Sequence, residues 1–420
     1  MKKRLIVSIV AVLAARAAWP VDSFSLRGYV KNFSILIMPP ASTRGETTVD
    51  EADLGAVNNR LRLGLTWRAS DRVAFNVDYD LSPRIQAARL FREDPFFQRL
   101  QSVDYRLADF RDFLYPASGK RPENFALYHN LDRFMLTIKT EAADIIVGRQ
   151  AVAWGSGRVV NPTDVIAPFS FNELDKEERL GVDAVRVRVP LGALDELDFG
   201  VIAGRHLEAD KNAYFLRGRT HVLKTDVSGL ALAFRKHLLL GLDFTRAVGG
   251  AGFWLEAAYV IPDAFRENRR DAEKGYIRTS VGLDYSLGGN TYGFIEYHFN
   301  SAGRSRPEDY LELFGTSAYR DGSVYLLGRH YLNFGSTVLL SPLLPFTGLV
   351  ILNLSDGSLV LSPSFEYNIA ENIYLAGGAY WGLGKRPETV LGPLIPQPRV
   401  LHSEFGAYPD MIFASCRIYF

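Results

Sequence analysis

The chain has 420 residues, 48 Lys+Arg against 47 Asp+Glu, and 47% hydrophobic and 12% aromatic residues. A near-neutral chain without a basic tail gives no electrostatic footprint for nucleic acid, so we expect no nucleic-acid partner. The single cysteine excludes a disulfide framework. Beyond the first residues no run of 18 apolar residues occurs, which excludes membrane-spanning helices.

The first residues have the pattern of a secretory signal. Residues 2–4 are cationic, residues 5–15 form an apolar stretch, and residues 15–17 form an A-x-A-like cleavage site. This stretch is too short and wrongly flanked for a spanning helix. We therefore expect residues 1–17 to be a signal peptide and residues 18–420 to form one domain.

The rest of the chain consists of segments of about ten residues in which apolar and polar side chains alternate, the pattern of a strand with one apolar face. Indistinct turns at 225–226 and 235–237 leave 16 strands as an alternative to 18, because one hairpin could merge. The 18 predicted strands lie near 26–37, 58–69, 72–82, 131–140, 144–153, 182–190, 196–205, 215–224, 227–235, 237–246, 251–261, 275–287, 291–300, 324–340, 346–354, 357–369, 372–383 and 410–420.

Two features favour a membrane barrel over a soluble sandwich or propeller. The connections alternate between short and long, as a barrel with short periplasmic turns and long outer loops requires, and both termini on one side demand an even strand count. The chain also ends in an alternating strand whose Ile418 and Phe420 resemble the signal read by the outer-membrane assembly machinery. The fold class is therefore all-β: a transmembrane antiparallel up-and-down barrel of about 18 strands, embedded in outer-membrane lipid of a bacterial cell.

Charged faces must then point into the lumen, because lipid does not tolerate charge at mid-depth. Across the first hairpin we expect Arg62 to lie beside Asp78 or Asp80. These charges either screen passing solutes or simply pair and hydrate. The Asn76-x-Asp78-x-Asp80 run lacks the glycine and glutamate of a calcium loop, so we expect no metal. The predicted lumen residues are Arg60, Arg62, Arg68, Asp78, Asp80, Arg186, Arg188, Asp243, Glu256, Arg278, Asp284, Glu296, His298, Glu366 and Arg417.

Two long connections are candidates for narrowing the barrel. A Gly- and Pro-punctuated loop over 154–168 is predicted to fold into the mouth, with a rigid rim loop as the alternative, and Arg149 and Arg158 are expected to face Asp164, Glu173 or Asp175. Within 83–130, apolar residues at helical spacing predict an amphipathic helix that contacts the barrel. The constriction candidates are Arg149, Gln150, Trp154, Arg158, Asn161 and Asp164; the helix positions are Phe97, Leu100, Val103, Leu107, Phe110 and Leu114.

Short motifs carry a family resemblance. The sequence resembles a broad group of proteobacterial outer-membrane porin-like barrels and is somewhat similar to alginate-export-type barrels. The resemblance implies an outer-membrane channel without defining a substrate. The motifs that carry it are Gly148-Arg149-Gln150, Trp154-Gly155, Asn161-Pro162-x-Asp164 and Asp356-Gly357-Ser358.

No catalytic motif of the H-E-x-x-H or G-x-S-x-G type occurs, so we expect no enzyme and no cofactor, with an outer-membrane hydrolase as a minor alternative. The favoured function is a porin-like channel, monomeric or a homo-oligomer, for small hydrophilic or anionic solutes. The alternative is a structural sheath or export conduit that docks a periplasmic partner, such as a polysaccharide export machine or a multihaem cytochrome.

Overall fold

The computed structural model describes residues 23–44, 47–49, 51–91, 105–108, 113–117, 120–169, 173–208, 211–266, 273–321, 324–389 and 399–420. The predicted signal peptide lies outside these residues. So do four positions of the predicted helix, Phe97, Leu100, Val103 and Phe110. Over the described ranges, no helix has the length and apolar character that a membrane crossing needs.

Eighteen long strands follow one another around a single closed antiparallel sheet. They confirm the prediction of 18 strands and exclude 16. The strands are β1 (Phe24–Met38), β2 (Leu54–Ser70), β3 (Val73–Gln86), β4 (Phe125–Lys139), β5 (Asp144–Gln150), β6 (Val182–Pro190), β7 (Glu196–Ile202), β8 (Ala213–Val222), β9 (Thr225–Phe234), β10 (His237–Val248), β11 (Ala251–Ile261), β12 (Tyr276–Leu287), β13 (Thr291–Asn300), β14 (His330–Ser341), β15 (Leu344–Asn353), β16 (Leu359–Ala370), β17 (Ile373–Leu383) and β18 (Asp410–Tyr419).

The barrel closes between its first and last strands. β18 pairs with β1 in a register that runs from Tyr29 opposite Tyr419 to Met38 opposite Asp410. Gly28 and Phe420 add two backbone hydrogen bonds of 2.8 and 2.9 Å between N and O. Because closure leaves no free edge, the long strands satisfy one another's backbone groups, which lipid cannot do.

The connections differ at the two ends of the barrel. One end, here called the short-turn end, carries both termini and tight turns such as Gly249-Gly250, where both residues have positive φ. The predicted turn at 225–226 actually lies at Leu223-Lys224, with φ of 50° and 61°. This left-handed pair suits a two-residue hairpin but lacks the Gly or Asn that marks one in sequence. The opposite end is the long-loop end.

Side chains alternate between the two faces of the wall as the sequence predicted. On β10, Leu240 and Leu242 point outward and are exposed, while Leu239 and Gly241, which alternate with them, are buried. On β11, Glu256 points inward and is fully buried, and its neighbour Tyr259 faces outward. The outer surface is therefore an apolar band that matches lipid, and the lumen holds the charges.

Loops fill the long-loop end of the lumen with an apolar core. The connection after β13 contains two four-residue helices, α1 (Tyr310–Leu313) and α2 (Ser317–Arg320). Val324 and Leu327 of this connection are buried in that core, so β14 starts at residue 330 rather than at the predicted 324.

Other boundaries also differ from the prediction: β2 begins at Leu54 rather than near 58, and β4 begins at Phe125 rather than near 131. β5 ends at Gln150 rather than near 153, because Val152 and Trp154 turn into the core. The helical insertion lies in the connection after β13. In the connection after β3, Leu107 is irregular and Leu114 belongs to a three-residue strand paired with β4, so neither is helical as predicted.

The outward band predicts a depth-dependent cost of charge. Leu242→Arg puts a cation at the middle of β10, where Leu242 is 52% exposed on the outer face, and should lower the free energy of unfolding in lipid vesicles by about 2–4 kcal/mol. Val248→Arg, at the short-turn end of the same strand, is the matched control and should cost about 0–1 kcal/mol. Equal costs at both positions, measured by denaturant titration, would contradict the lipid-facing assignment.

Candidate pore constriction

The connection between β5 and β6, described over residues 151–169 and 173–181, contacts opposite parts of the wall inside the lumen; we call these residues the pore loop. Its first half lies against the inward faces of β11, β12 and β13. Its second half lies against β1, β2 and β4. The sequence placed a constriction in this loop, and the structure shows how each half is held.

Glu256 of β11 receives hydrogen bonds from the first half. The backbone N–H groups of Ser156 and Gly157 each donate to Oε2 at 3.0 Å. The backbone N–H and hydroxyl of Thr163 both donate to Oε1 at 2.7 Å. A single buried carboxylate therefore binds both ends of the segment 156–163.

Glu296 of β13 accepts hydrogen bonds from the residues between those ends. Arg158 N–H donates to Oε2 at 2.6 Å, and the N–H groups of Val159 and Val160 donate to Oε1 at 3.2 Å. The Trp254 indole N–H also donates to this carboxylate at 3.1 Å. Together the two glutamates accept every backbone N–H from residue 156 to residue 160.

The carbonyl groups of the same segment also bind the wall. Arg278 Nη1 of β12 donates to the Pro162 carbonyl at 3.3 Å, and Ser280 Oγ donates to the Val160 carbonyl at 2.8 Å. His298 is buried next to Ser280, with its Nδ1 2.9 Å from Oγ. The wall thus pairs with the backbone N–H groups of residues 156–160 and 163 and with the carbonyls of Val160 and Pro162, as burial of polar groups requires.

The second half of the pore loop is held by ion pairs. Lys31 Nζ of β1 lies 2.9 Å from Asp175 and 2.7 Å from Glu177, and its side chain is fully buried. Arg60 of β2 also contacts Asp175 at 3.0 Å. Sequence reasoning missed Lys31, although it alternates with the outward-facing Val30 and could have been assigned by parity.

The first hairpin forms the charge cluster that the sequence predicted. Arg62 lies 3.0 Å from Asp78 and 3.3 Å from Asp80, and 2.8 Å from Asp132 of β4. Its side chain is only 4% exposed, because the pore loop covers it. Arg62, Asp78 and Asp80 therefore pair with one another beneath the loop and do not touch solute in the lumen.

Two predicted partnerships of the loop are replaced by others. Arg149 binds Asp183 at 2.7 Å, and Arg158 binds Asp284 of β12 at 2.7 Å. Asp164 pairs instead with Arg179, a residue that sequence reasoning did not select. The physical reason is that the loop folds back on itself, which brings residue 179 beside residue 164 and directs Arg158 toward the wall.

The remaining predicted lumen and constriction residues lie in the apolar core, bind the loop or pair along the wall. Trp154 is buried in the apolar core with its ring 5.0 Å from that of Phe215, and the Gln150 amide donates to the Ala184 carbonyl at 3.3 Å. Asp243 accepts from the Ser156 hydroxyl. Arg186 pairs with Asp198 and Arg188 with Glu196 across the neighbouring strands β6 and β7, and Glu366 of β16 pairs with Arg417 of β18 across the intervening β17. Arg68 is exposed near the short-turn end.

A cavity of about 240 Å³ remains beside the pore loop. The loop side presents three cations and one carboxylate: Arg158, Lys176, Arg179 and Asp164. Burial raises the pKa of Asp164 to about 6, and Arg179 opposes this shift. The rest of the lining is uncharged: Val159, Asn161, Pro168 and Phe169 of the loop, Tyr325 of the connection after β13, and Tyr292, Phe294, Gly335, Ser336, Thr337, Thr347, Gly348 and Leu349 of the wall.

A second polar cluster, Glu404 with Tyr310, Tyr331, Asn353 and Asp356, ties three connections together at the long-loop end. Glu404 accepts from the Tyr331 hydroxyl and, at 2.8 Å, from the Asn353 amide. The Tyr310 hydroxyl donates to Asp356 at 2.8 Å. No sequence motif pointed to this cluster, because its members come from four separate segments. Among the described residues no group of three or more His, Cys, Asp or Glu is arranged to hold a metal ion.

Removing Arg62 should destabilise the protein strongly. Arg62→Ala leaves three buried carboxylates with one cation fewer, and a broken buried ion pair costs about 3 kcal/mol or more. Arg72→Ala is the control, because its pair with Glu141 (3.5 Å) lies at the surface, and we expect no measurable change there. Denaturant unfolding in vesicles measures both; a small effect at Arg62 would mean that water fills the cluster.

Glu404 makes the long-loop end sensitive to pH. Burial raises the pKa of Glu404 from 4.5 to about 7, with Asp356 raising it further and the Tyr331 hydrogen bond opposing the shift. The native state therefore keeps a proton that the unfolded chain releases, so stability falls as pH rises from about 4.5 to about 7 and then levels off. We expect Glu404→Gln to reduce the difference in melting temperature between pH 5 and pH 8; an unchanged difference would contradict this.

No family model matches the sequence, and no curated protein matches it. Solved structures do match in fold. OccAB3 of Acinetobacter baumannii aligns with a TM-score of 0.54 and 10% identity, over 95% of this chain and 100% of that one. OccK2 (OpdF) of Pseudomonas aeruginosa, solved with glucuronate, aligns with a TM-score of 0.53 and 9% identity over 95% and 98%.

The outer membrane protein OprD of Pseudomonas aeruginosa gives the same TM-score, 0.53, at 9% identity over 95% of this chain and 93% of that one. These similarities establish a common barrel fold across nearly the whole length of each chain. None of these three proteins is an alginate-export barrel, so that finer resemblance rests on the short sequence motifs.

Proposed function

We propose that this protein is an outer-membrane channel for small hydrophilic solutes with a preference for anions. The observation that carries the proposal is the cavity beside the pore loop, which is lined by three cations and one carboxylate of the loop and by uncharged residues of the wall. A solute that passes the loop there meets Lys176 together with Arg158 and Arg179, which are paired with Asp284 and Asp164. Because apolar residues form part of the cavity lining, these charges are only partly screened by water.

The width of the barrel supports a channel. A closed sheet of 16–18 strands encloses a lumen wide enough for water, so the diameter must be set by something inside it. Here the pore loop takes that role. In this reading the short-turn end faces the periplasm and the long-loop end faces the outside, with Ile418 and Phe420 at the closing seam as the assembly signal.

The similar solved structures support the class of solute. OccK2 is solved with glucuronate and OpdK of the same organism with vanillate, and both ligands carry a carboxylate. A carboxylate fits the Arg158 and Arg179 guanidinium groups, which can each bind two oxygens. We therefore infer that small carboxylates are the preferred cargo and that the protein carries out no catalysis.

Neutralising the cavity should reduce anion preference. The double variant Arg158→Gln/Lys176→Gln removes two of three cations from the lining. Unit charges about 4 Å apart in watery surroundings interact by about 1 kcal/mol, which corresponds to about a fivefold change in a permeability ratio. The reversal potential in a KCl gradient across a planar bilayer measures this ratio.

Arg72→Gln, at a short turn outside the lumen, is the matched control and should leave the reversal potential unchanged. A double variant that keeps the wild-type reversal potential would contradict the proposed cation-lined path. A purified protein that gives no open-channel current at all would favour the sheath or export conduit that docks a partner.

A further inference from the structure

We propose that Glu256 and Glu296 are positioning residues that hold the first half of the pore loop and so set the width of the path, without touching the solute. This inference rests on the proposed channel function. Sequence reasoning had placed both residues among the solute-facing charges. Their side chains are fully buried, and their carboxylate oxygens are occupied by the loop backbone.

The two halves of the pore loop are held by different kinds of interaction. The second half contributes its own carboxylates, Asp175 and Glu177, to cations of the wall. The first half contributes backbone N–H groups to two wall carboxylates, and the only side chain of segment 156–163 that donates to either glutamate is Thr163. The attachment of the first half therefore depends mainly on the two wall glutamates, and the side chains of Ser156 and Arg158 add contacts with Asp243 and Asp284.

A carboxylate is the group that suits this task. Each oxygen can accept two hydrogen bonds, and Glu256 alone accepts four from the loop. A glutamine at either position would place an amide NH₂ donor where one carboxylate oxygen now accepts. The backbone N–H groups bound to that oxygen would lose their hydrogen bonds and face a donor that repels them. We call the hydrogen bonds between these two glutamates and residues 156–163 the clasp. Isosteric Glu→Gln changes test the clasp with little change in side-chain volume.

Glu296 also fixes Arg158, an exposed cation of the cavity lining. It binds the Arg158 backbone N–H and the Trp254 indole, and the Arg158 guanidinium lies 5.1 Å from the Trp254 ring centre. Asp284 and the Trp254 ring therefore hold the guanidinium, while Glu296 holds the main chain that carries it. Breaking the hydrogen bonds between Glu296 and the loop should therefore move Arg158 and also widen the path.

The primary test is hydrogen–deuterium exchange of the loop amides, which reports on the clasp whether or not the protein conducts. Glu256→Gln and Glu296→Gln should each speed exchange in peptides covering residues 156–163 by about tenfold or more, because the amides lose their acceptors. Exchange in residues 173–181 should stay at the wild-type rate. Asp198→Asn is the matched control: it changes a wall carboxylate that pairs with Arg186, and should alter neither segment.

The second test is single-channel current in planar bilayers. With the first half released, we expect larger and less steady conductance with frequent sublevels. If the glutamates instead faced the solute, their neutralisation would shift the reversal potential toward anions while conductance stayed steady and exchange stayed slow, and that result would overturn the proposal. A wild-type protein that gives no current would overturn the channel function but leave the exchange test of the clasp intact.

A disulfide between the loop and the wall, here called the staple, distinguishes release of the loop from a general loss of stability. A Cβ built on Gly241 of β10 would lie 2.7 Å from Cγ2 of Thr163, so the two positions are in contact and a disulfide between Gly241→Cys and Thr163→Cys would tie residue 163 of the loop to the wall. In a Cys416→Ala background carrying Glu256→Gln, which releases residue 163, the oxidised staple should restore steady conductance, and reduction should abolish it. A staple that forms without steadying the conductance would contradict the proposal. Should a Gln variant fail to assemble, Glu256→Asp retracts the carboxylate at constant charge and should give the same faster exchange.

Discussion

The closed sheet is the constraint from which the rest of this structure follows. Eighteen strands joined between β1 and β18 pair their backbone groups around the whole wall, which lipid demands. The same closure creates a lumen that the inward side chains of the wall do not fill. Any selectivity must then come from chain that leaves the wall and folds inside, and the pore loop does so.

The pore loop determines which wall charges are free. Arg62, Asp78 and Asp80 would face water in an empty barrel, but the loop covers them and they pair with one another. Glu256 and Glu296 bind the loop backbone in the same way. The charged residues that line the cavity, Arg158, Lys176, Arg179 and Asp164, therefore all belong to the loop. The wall residues that line it are uncharged, so the cavity is asymmetric across its width.

Stability and function share the same contacts here. The ion pairs of Lys31 and Arg60 with Asp175 neutralise buried wall cations and also fix the second half of the loop. At the long-loop end, Glu404 stabilises the packing of loops that border the entrance. A substitution in either cluster should change both the free energy of unfolding and the geometry of the path.

The sequence by itself determined the closed barrel and the inward direction of the charges, because a period of two and lipid on one side leave each side chain only two directions. It left 16 strands as an alternative to 18, and the structure decided for 18. It also located the loop that enters the lumen. Only the tertiary structure decided which charged side chains pair with one another. A bulge at Asp132 turns both Asp132 and Arg133 inward, which alternation does not predict. Arg158 meets Asp284, and Asp164 meets Arg179, because the loop's path in space, rather than its order in sequence, sets those distances.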